Sequence, residues 1–82
     1  MEKPTIEIDF NGPEGNIFCV LLEANKAIER LAFGDGSIAM RNATLINAEM
    51  RYKVSKAKSY NEALNIIEEY VTIKQKGGLP MK

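Results

Sequence analysis

Between an alternating stretch and a helical one the chain carries Gly12-Pro13-Glu14-Gly15-Asn16, a place where residue types and spacing could cradle a phosphate. A glycine-rich turn ahead of a helix can bring free backbone amides, and the positive end of the helix dipole, up to an anion. This loop has neither the Lys-Ser/Thr pair of a P-loop nor the three-glycine spacing of a dinucleotide fold, and Glu14 would repel phosphate. The expectation is a tight strand-to-helix connection. A nucleotide or second-messenger site at Gly12 to Asn16 is the alternative.

The other groups that could do chemistry point away from catalysis. No histidine is present, which removes the usual general base, the commonest metal ligand and the simplest pH switch. Cys19 falls inside a helical stretch, away from its main apolar stripe, with no histidine to activate it. Glu68 and Glu69 are adjacent, so on a helix they point ~100° apart and make a poor carboxylate pair. No spacing fits a zinc site or a calcium loop. The expectation is a protein that is not an enzyme and uses no cofactor and no metal.

Arg51, Lys53, Lys56 and Lys58 raise nucleic-acid binding. On a helical projection Arg51 and Lys58 fall together while Lys53 and Lys56 lie on the other side of the apolar stripe, the arrangement of a solvated helix. Only Tyr52 is at hand for base stacking, and eleven basic side chains are cancelled by eleven acidic ones. A nucleic-acid regulator is therefore a secondary alternative. The charges are nonetheless uneven. Residues 1–40 hold seven acids against Lys3, Lys26 and Arg30, a net of −4, and residues 41–58 hold five bases against Glu49, a net of +4. Such polarity orients a charged partner, unless the two regions neutralise each other across the fold.

A third idea comes from apolar residues that helical phase places off the core. Phe18, Leu22 and Phe33 share a second side of the first helical stretch, and Leu45 and Tyr52 share a side of the second. Aromatics and leucines outside a core mark protein–protein surfaces, the competing reading being that a neighbouring helix covers them. Phe18, Leu22, Leu45 and Tyr52 are the candidate contact residues, with Arg41, Arg51, Lys53 and Lys56 steering the encounter.

At 82 residues the chain makes one domain, of a size whose core supplies only ~3–5 kcal/mol, so a partner subunit or a target would add to its stability. Its 45% hydrophobic and 27% charged content belongs to a folded globular chain. The longest apolar run, Ile17 to Leu22, is far short of the ~20 residues of a spanning helix, so no direct membrane insertion is expected. Met1-Glu2-Lys3-Pro4 has no basic region leading into an apolar one, and the lone Cys19 makes no internal disulfide; both fit a reducing cytoplasm.

The elements that must position these residues are legible in outline. In Thr5 to Phe10 the apolar Ile6, Ile8 and Phe10 share one face, a half-buried strand that Asn11-Gly12-Pro13 stops. Asn16 is placed to cap a helix from Ile17 to about Phe33, with Ile17, Leu21, Ala24, Ile28 and Leu31 on its core stripe and Val20, Ala27 and Ala32 flanking. A second helix is clear from Asn42 or Ala43 to about Ala57 and could begin after Ser37, its core face being Ala43, Ile46, Met50, Val54 and Ala57. Ser59-Tyr60-Asn61-Glu62 reads as a capping box. It opens a third helix to about Tyr70 that buries Tyr60, Ala63, Leu64, Ile67 and Val71. Val71-Thr72-Ile73 could end that helix or form a short strand pairing with the first; the reading leans to the helix continuing. The fold class is thus mainly α (small α+β), an N-terminal strand followed by a three-helix bundle, with a single domain over residues 1–73 and a mobile tail over 74–82.

The run IEIDFNGPEGNIF, a helix, then LINAEM and then SYNEALNIIEEYV resembles a group of small phage, plasmid and bacterial proteins. These open with a strand ending in Asn-Gly-Pro-Glu/Asp-Gly-Asn and later carry an Ile-x-x-Glu-Met segment and a Tyr-containing helix; the likeness covers residues 5–73. Within the group the layout is most similar to the lysis-inhibition accessory proteins of T-even phages, which are cytoplasmic antiholins. The resemblance implies a protein that binds the cytoplasmic segment of a phage holin and delays lysis. It transfers no site residue, because the group has no catalytic or ligand signature. Self-association, as a homo-oligomer, is the other partner arrangement these features allow.

Overall fold

The computed structural model describes residues 3–12, 15–34, 36 and 38–75. In chain order the elements are β1 (Thr5–Ile8), α1 (Ile17–Phe33), α2 (Met40–Ser55), α3 (Tyr60–Glu68) and β2 (Thr72–Gln75). The architecture is mainly helical: a three-helix bundle closed by two short strands paired in parallel.

The strand alternation holds at Ile6 and Ile8, both buried, with Thr5 and Glu7 turned outward. Phe10 lies past the end of β1, partly buried against the core. A Cβ at Gly15 would stand 3.1 Å from the Phe10 carbonyl oxygen and 3.2 Å from its Cα, so a side chain here would crowd the end of β1 and glycine avoids that crowding. The side chain of Asn16 then accepts the Phe18 N–H at 2.8 Å, which satisfies one of the orphan amides and starts α1. The helix ends as Gly34 N–H donates to the Arg30 carbonyl at 2.8 Å. Gly36, at φ +64°, makes a left-handed turn that favours glycine.

Four alanines, Ala24, Ala27, Ala43 and Ala63, are buried in the core alongside Ile28, Met50 and Ile67. Small residues at helix contacts let helix axes approach closely. The closely packed α1 and α2 also bury Asn47, whose Nδ2 donates to the Asn25 carbonyl at 3.2 Å. The Oδ1 atoms of both Asn25 and Asn47 are buried without a partner. The core face of α1 is rotated from the expected stripe: Val20 and Ala27 are fully inside, while Ile17 and Leu31 are only partly covered.

The capping box at Ser59 forms with one change. Glu62 N–H donates to Ser59 Oγ at 3.1 Å, as the pattern requires, but the Glu62 carboxylate accepts the Lys58 amide at 2.9 Å. The reciprocal bond thus reaches one residue further back.

Of the two readings of the segment after the third helix, the short strand pairing with β1 is the one that forms, and the leaning toward a continued helix is corrected. α3 stops at Glu68, with short bonds from Glu69 and Tyr70 N–H to the Ile66 and Ile67 carbonyls. Lys3 Nζ caps the Glu68 carbonyl at 3.0 Å, where a cation suits the negative end of the helix. Thr72 N–H then donates to the Pro4 carbonyl at 2.8 Å, and the ladder runs Thr5 to Thr72, Ile6 to Ile73, Glu7 to Lys74 and Ile8 to Gln75. Branched side chains favour the extended backbone, and β1 supplies the hydrogen bonds that a longer helix would otherwise provide. Lys74 and Gln75, expected in the tail, belong to this strand; the rest of the expected tail, residues 76–82, lies outside the described residues.

Candidate protein-binding groove

An apolar groove of about 800 Å3 opens between the first half of α1, the last turn of α2 and the start of α3. Ile17, Phe18, Leu21, Leu22 and Asn25 form the α1 wall. Arg51, Val54 and Ser55 come from α2, and Ala57, Lys58, Ser59, Tyr60 and Ala63 from the connection and α3. Helical period explains the first wall, since residues 18, 22 and 25 share a side displaced from the one that packs inward. Phe18 is 71% exposed and Leu22 57% exposed, so neither is covered by the helices beside it.

Tyr60 is a second correction. Expected in the core, it is 43% exposed and stands at the groove, its hydroxyl donating to the Gly15 carbonyl oxygen. That bond ties the start of α3 to the loop before α1. Together with the capping role of Asn16, it gives this loop structural work. Pro13 and Glu14, including the expected repulsion of phosphate by Glu14, lie outside the described residues.

The structure divides the sequence-derived contact set. Phe18, Leu22 and Arg51 meet at the groove. Leu45 and Tyr52 are exposed on α2 outside it, at 61% and 65%, and Arg41 is exposed in the first turn of α2. Lys56 lies 5.4 Å over the Tyr52 ring. Lys53 lies 3.6 Å from the Glu69 carboxylate and 5.5 Å over the Tyr70 ring, so it serves the joint between α2 and the end of α3. Sequence reasoning missed Tyr60, Val54 and Lys58 as groove residues. The available signal was the placement of Arg51 and Lys58 on one side of the helical projection, together with the aromatic that follows two residues on.

Tyr70 completes that joint, its hydroxyl donating to Glu49 Oε1 at 2.6 Å. Burial, and then the Glu49 bond, raise the Tyr70 pKa above its ordinary 10.0. Lys53 is raised above 10.5 mainly by its interaction with the Tyr70 phenol, with smaller contributions from Glu49 and Glu69. A group whose folded pKa is raised favours folding below its unfolded value and loses that contribution as pH climbs through the folded one. Stability should therefore decline above pH 10, and Tyr70→Phe should flatten the decline; equal slopes in urea titrations of the two proteins across that range would refute the assignment.

Among the described residues no helix is long and apolar enough to cross a membrane. The fold and groove define a small helical domain with an uncovered apolar cleft. No family model, curated protein or solved structure matches the chain.

Proposed function

We propose that this chain is a non-enzymatic protein-binding module that acts by stoichiometric association, its groove receiving the apolar face of a helical segment from another polypeptide. The observation that carries the reading is the groove itself, with Phe18 and Leu22 standing uncovered on one wall and Tyr60 facing them from α3. Amphipathic helices bind by laying anchors at helical spacing into a cleft of this kind, and an exposed aromatic and leucine supply contact area at small conformational cost. A small core gains stability from such a partner by mass action.

On the resemblance stated above, the segment is the cytoplasmic part of a phage holin, the setting is the host cytoplasm, and the effect of binding is delayed lysis. Titration calorimetry with an isolated holin cytoplasmic segment should give one-to-one binding. Leu22→Glu should weaken it at least ~30-fold, since a desolvated anchor contributes ~2 kcal/mol or more. The same change at an exposed position should alter stability by less than about 0.5 kcal/mol, checked by circular dichroism. A variant that binds as well as the parent removes the groove from the reading; a parent that binds no holin segment removes the holin.

A further inference from the structure

Resting on the groove reading, we infer that the preferred occupant is an amphipathic helix with carboxylates along one edge of its apolar stripe, held by Arg51 and Lys58. Both cations line the groove, and no acid among the described residues does. Neither is among the described ion pairs, which are Lys26 with Glu23 and Lys53 with Glu69. Glu62, four residues from Lys58, is outside the lining, and its carboxylate accepts the Lys58 backbone N–H. The apolar floor lowers the local dielectric beside these cations, which strengthens their attraction for an incoming anion.

The same charges argue against the α2 surface of a second copy of this chain as occupant. The exposed apolar pair on α2, Leu45 and Tyr52, is flanked along the helix by Arg41 and Lys56, while Glu49 on the same side accepts the Tyr70 hydroxyl. Seating that surface on the groove would bring cation against cation, and like charges across an interface oppose docking. The outward surface of α3 is acidic through Glu62, Glu68 and Glu69 but carries no large exposed apolar residue beyond Tyr60.

The test uses two synthetic helical peptides with the same Leu and Phe stripe, one flanked by Glu and the other by Lys, titrated into the full chain by fluorescence anisotropy. The Glu peptide should bind at least ~10-fold more tightly at low salt, a preference shrinking as ionic strength rises. Arg51→Glu with Lys58→Glu, folded by circular dichroism, should reverse it. Equal binding of both peptides, abolished by Leu22→Glu, overturns the charge assignment and leaves the groove reading standing. A Glu preference unchanged in the double variant also overturns it, by placing the anion elsewhere. Failure of both peptides to bind overturns the groove reading and this inference with it.

Discussion

Ile28→Ala should leave this protein largely unfolded at room temperature. Ile28 is completely buried near the middle of α1, and truncating such a side chain costs ~2–5 kcal/mol through lost transfer energy and the cavity left behind. A single core in a domain this small supplies only ~3–5 kcal/mol. Its buried neighbours include Ala24 and Ala27, short side chains that cannot swing into the vacated space. The far-ultraviolet ellipticity of the variant should be mostly lost, and its urea midpoint should approach zero. Leu22→Ala, on the open wall of the groove, is the control and should melt within about 0.5 kcal/mol of the parent. A normal midpoint for the Ile28 variant would mean that α1 does not pack on this side.

Asn47→Asp should be destabilising at neutral pH and markedly less so in acid. Asn47 is 5% exposed, and its Nδ2 faces the Asn25 carbonyl at 3.2 Å. Aspartate would replace that donor with a carboxylate oxygen pointing at another acceptor, beside an Oδ1 that already finds no donor. An uncompensated buried charge costs ~3–5 kcal/mol. Burial raises the folded pKa of this carboxyl above its unfolded value of ~3.9. The destabilisation is therefore smallest below ~3.9, where the carboxyl is neutral in both states and can donate to Asn25, and it grows as pH rises through the folded pKa. Measured as the difference from the parent at each pH, this trend separates the effect from the protein's own acid sensitivity. Asn47→Leu removes the partnerless Oδ1 together with the donor to the Asn25 carbonyl and introduces no charge, so it should show no such pH trend. An Asn47→Asp variant as stable as the parent at neutral pH would mean that solvent reaches the joint between α1 and α2.

The residues that carried the local patterns were readable, and those that depend on distant neighbours were not. Alternation at Ile6 and Ile8 and the Asn16 cap defined β1 and the limits of α1, because each is decided within a few residues. Asn47 was missed because it lies four residues after Ala43 and three before Met50, on the stripe that turns inward, where a polar side chain reads as solvent-facing. Tyr60 satisfied the helical period of α3, but period tells which residues share a side and not whether anything covers that side. Val71-Thr72-Ile73 was ambiguous because a parallel pairing is settled by a strand at the other end of the domain. At the groove, phase alone set Phe18, Leu22, Leu45 and Tyr52 apart from the core, and only the packing of three helices separates the first two from the others.

The pairing of β1 with β2 also fixes an order of events. During synthesis β1 emerges ahead of all three helices and must wait for Thr72 before its backbone meets its partner strand, a non-local pairing whose loop-closure cost comes before its reward. A chain halted before Thr72 would carry every helix and still lack its clasp, leaving the Pro4 carbonyl and the edge of β1 open to strands from other chains.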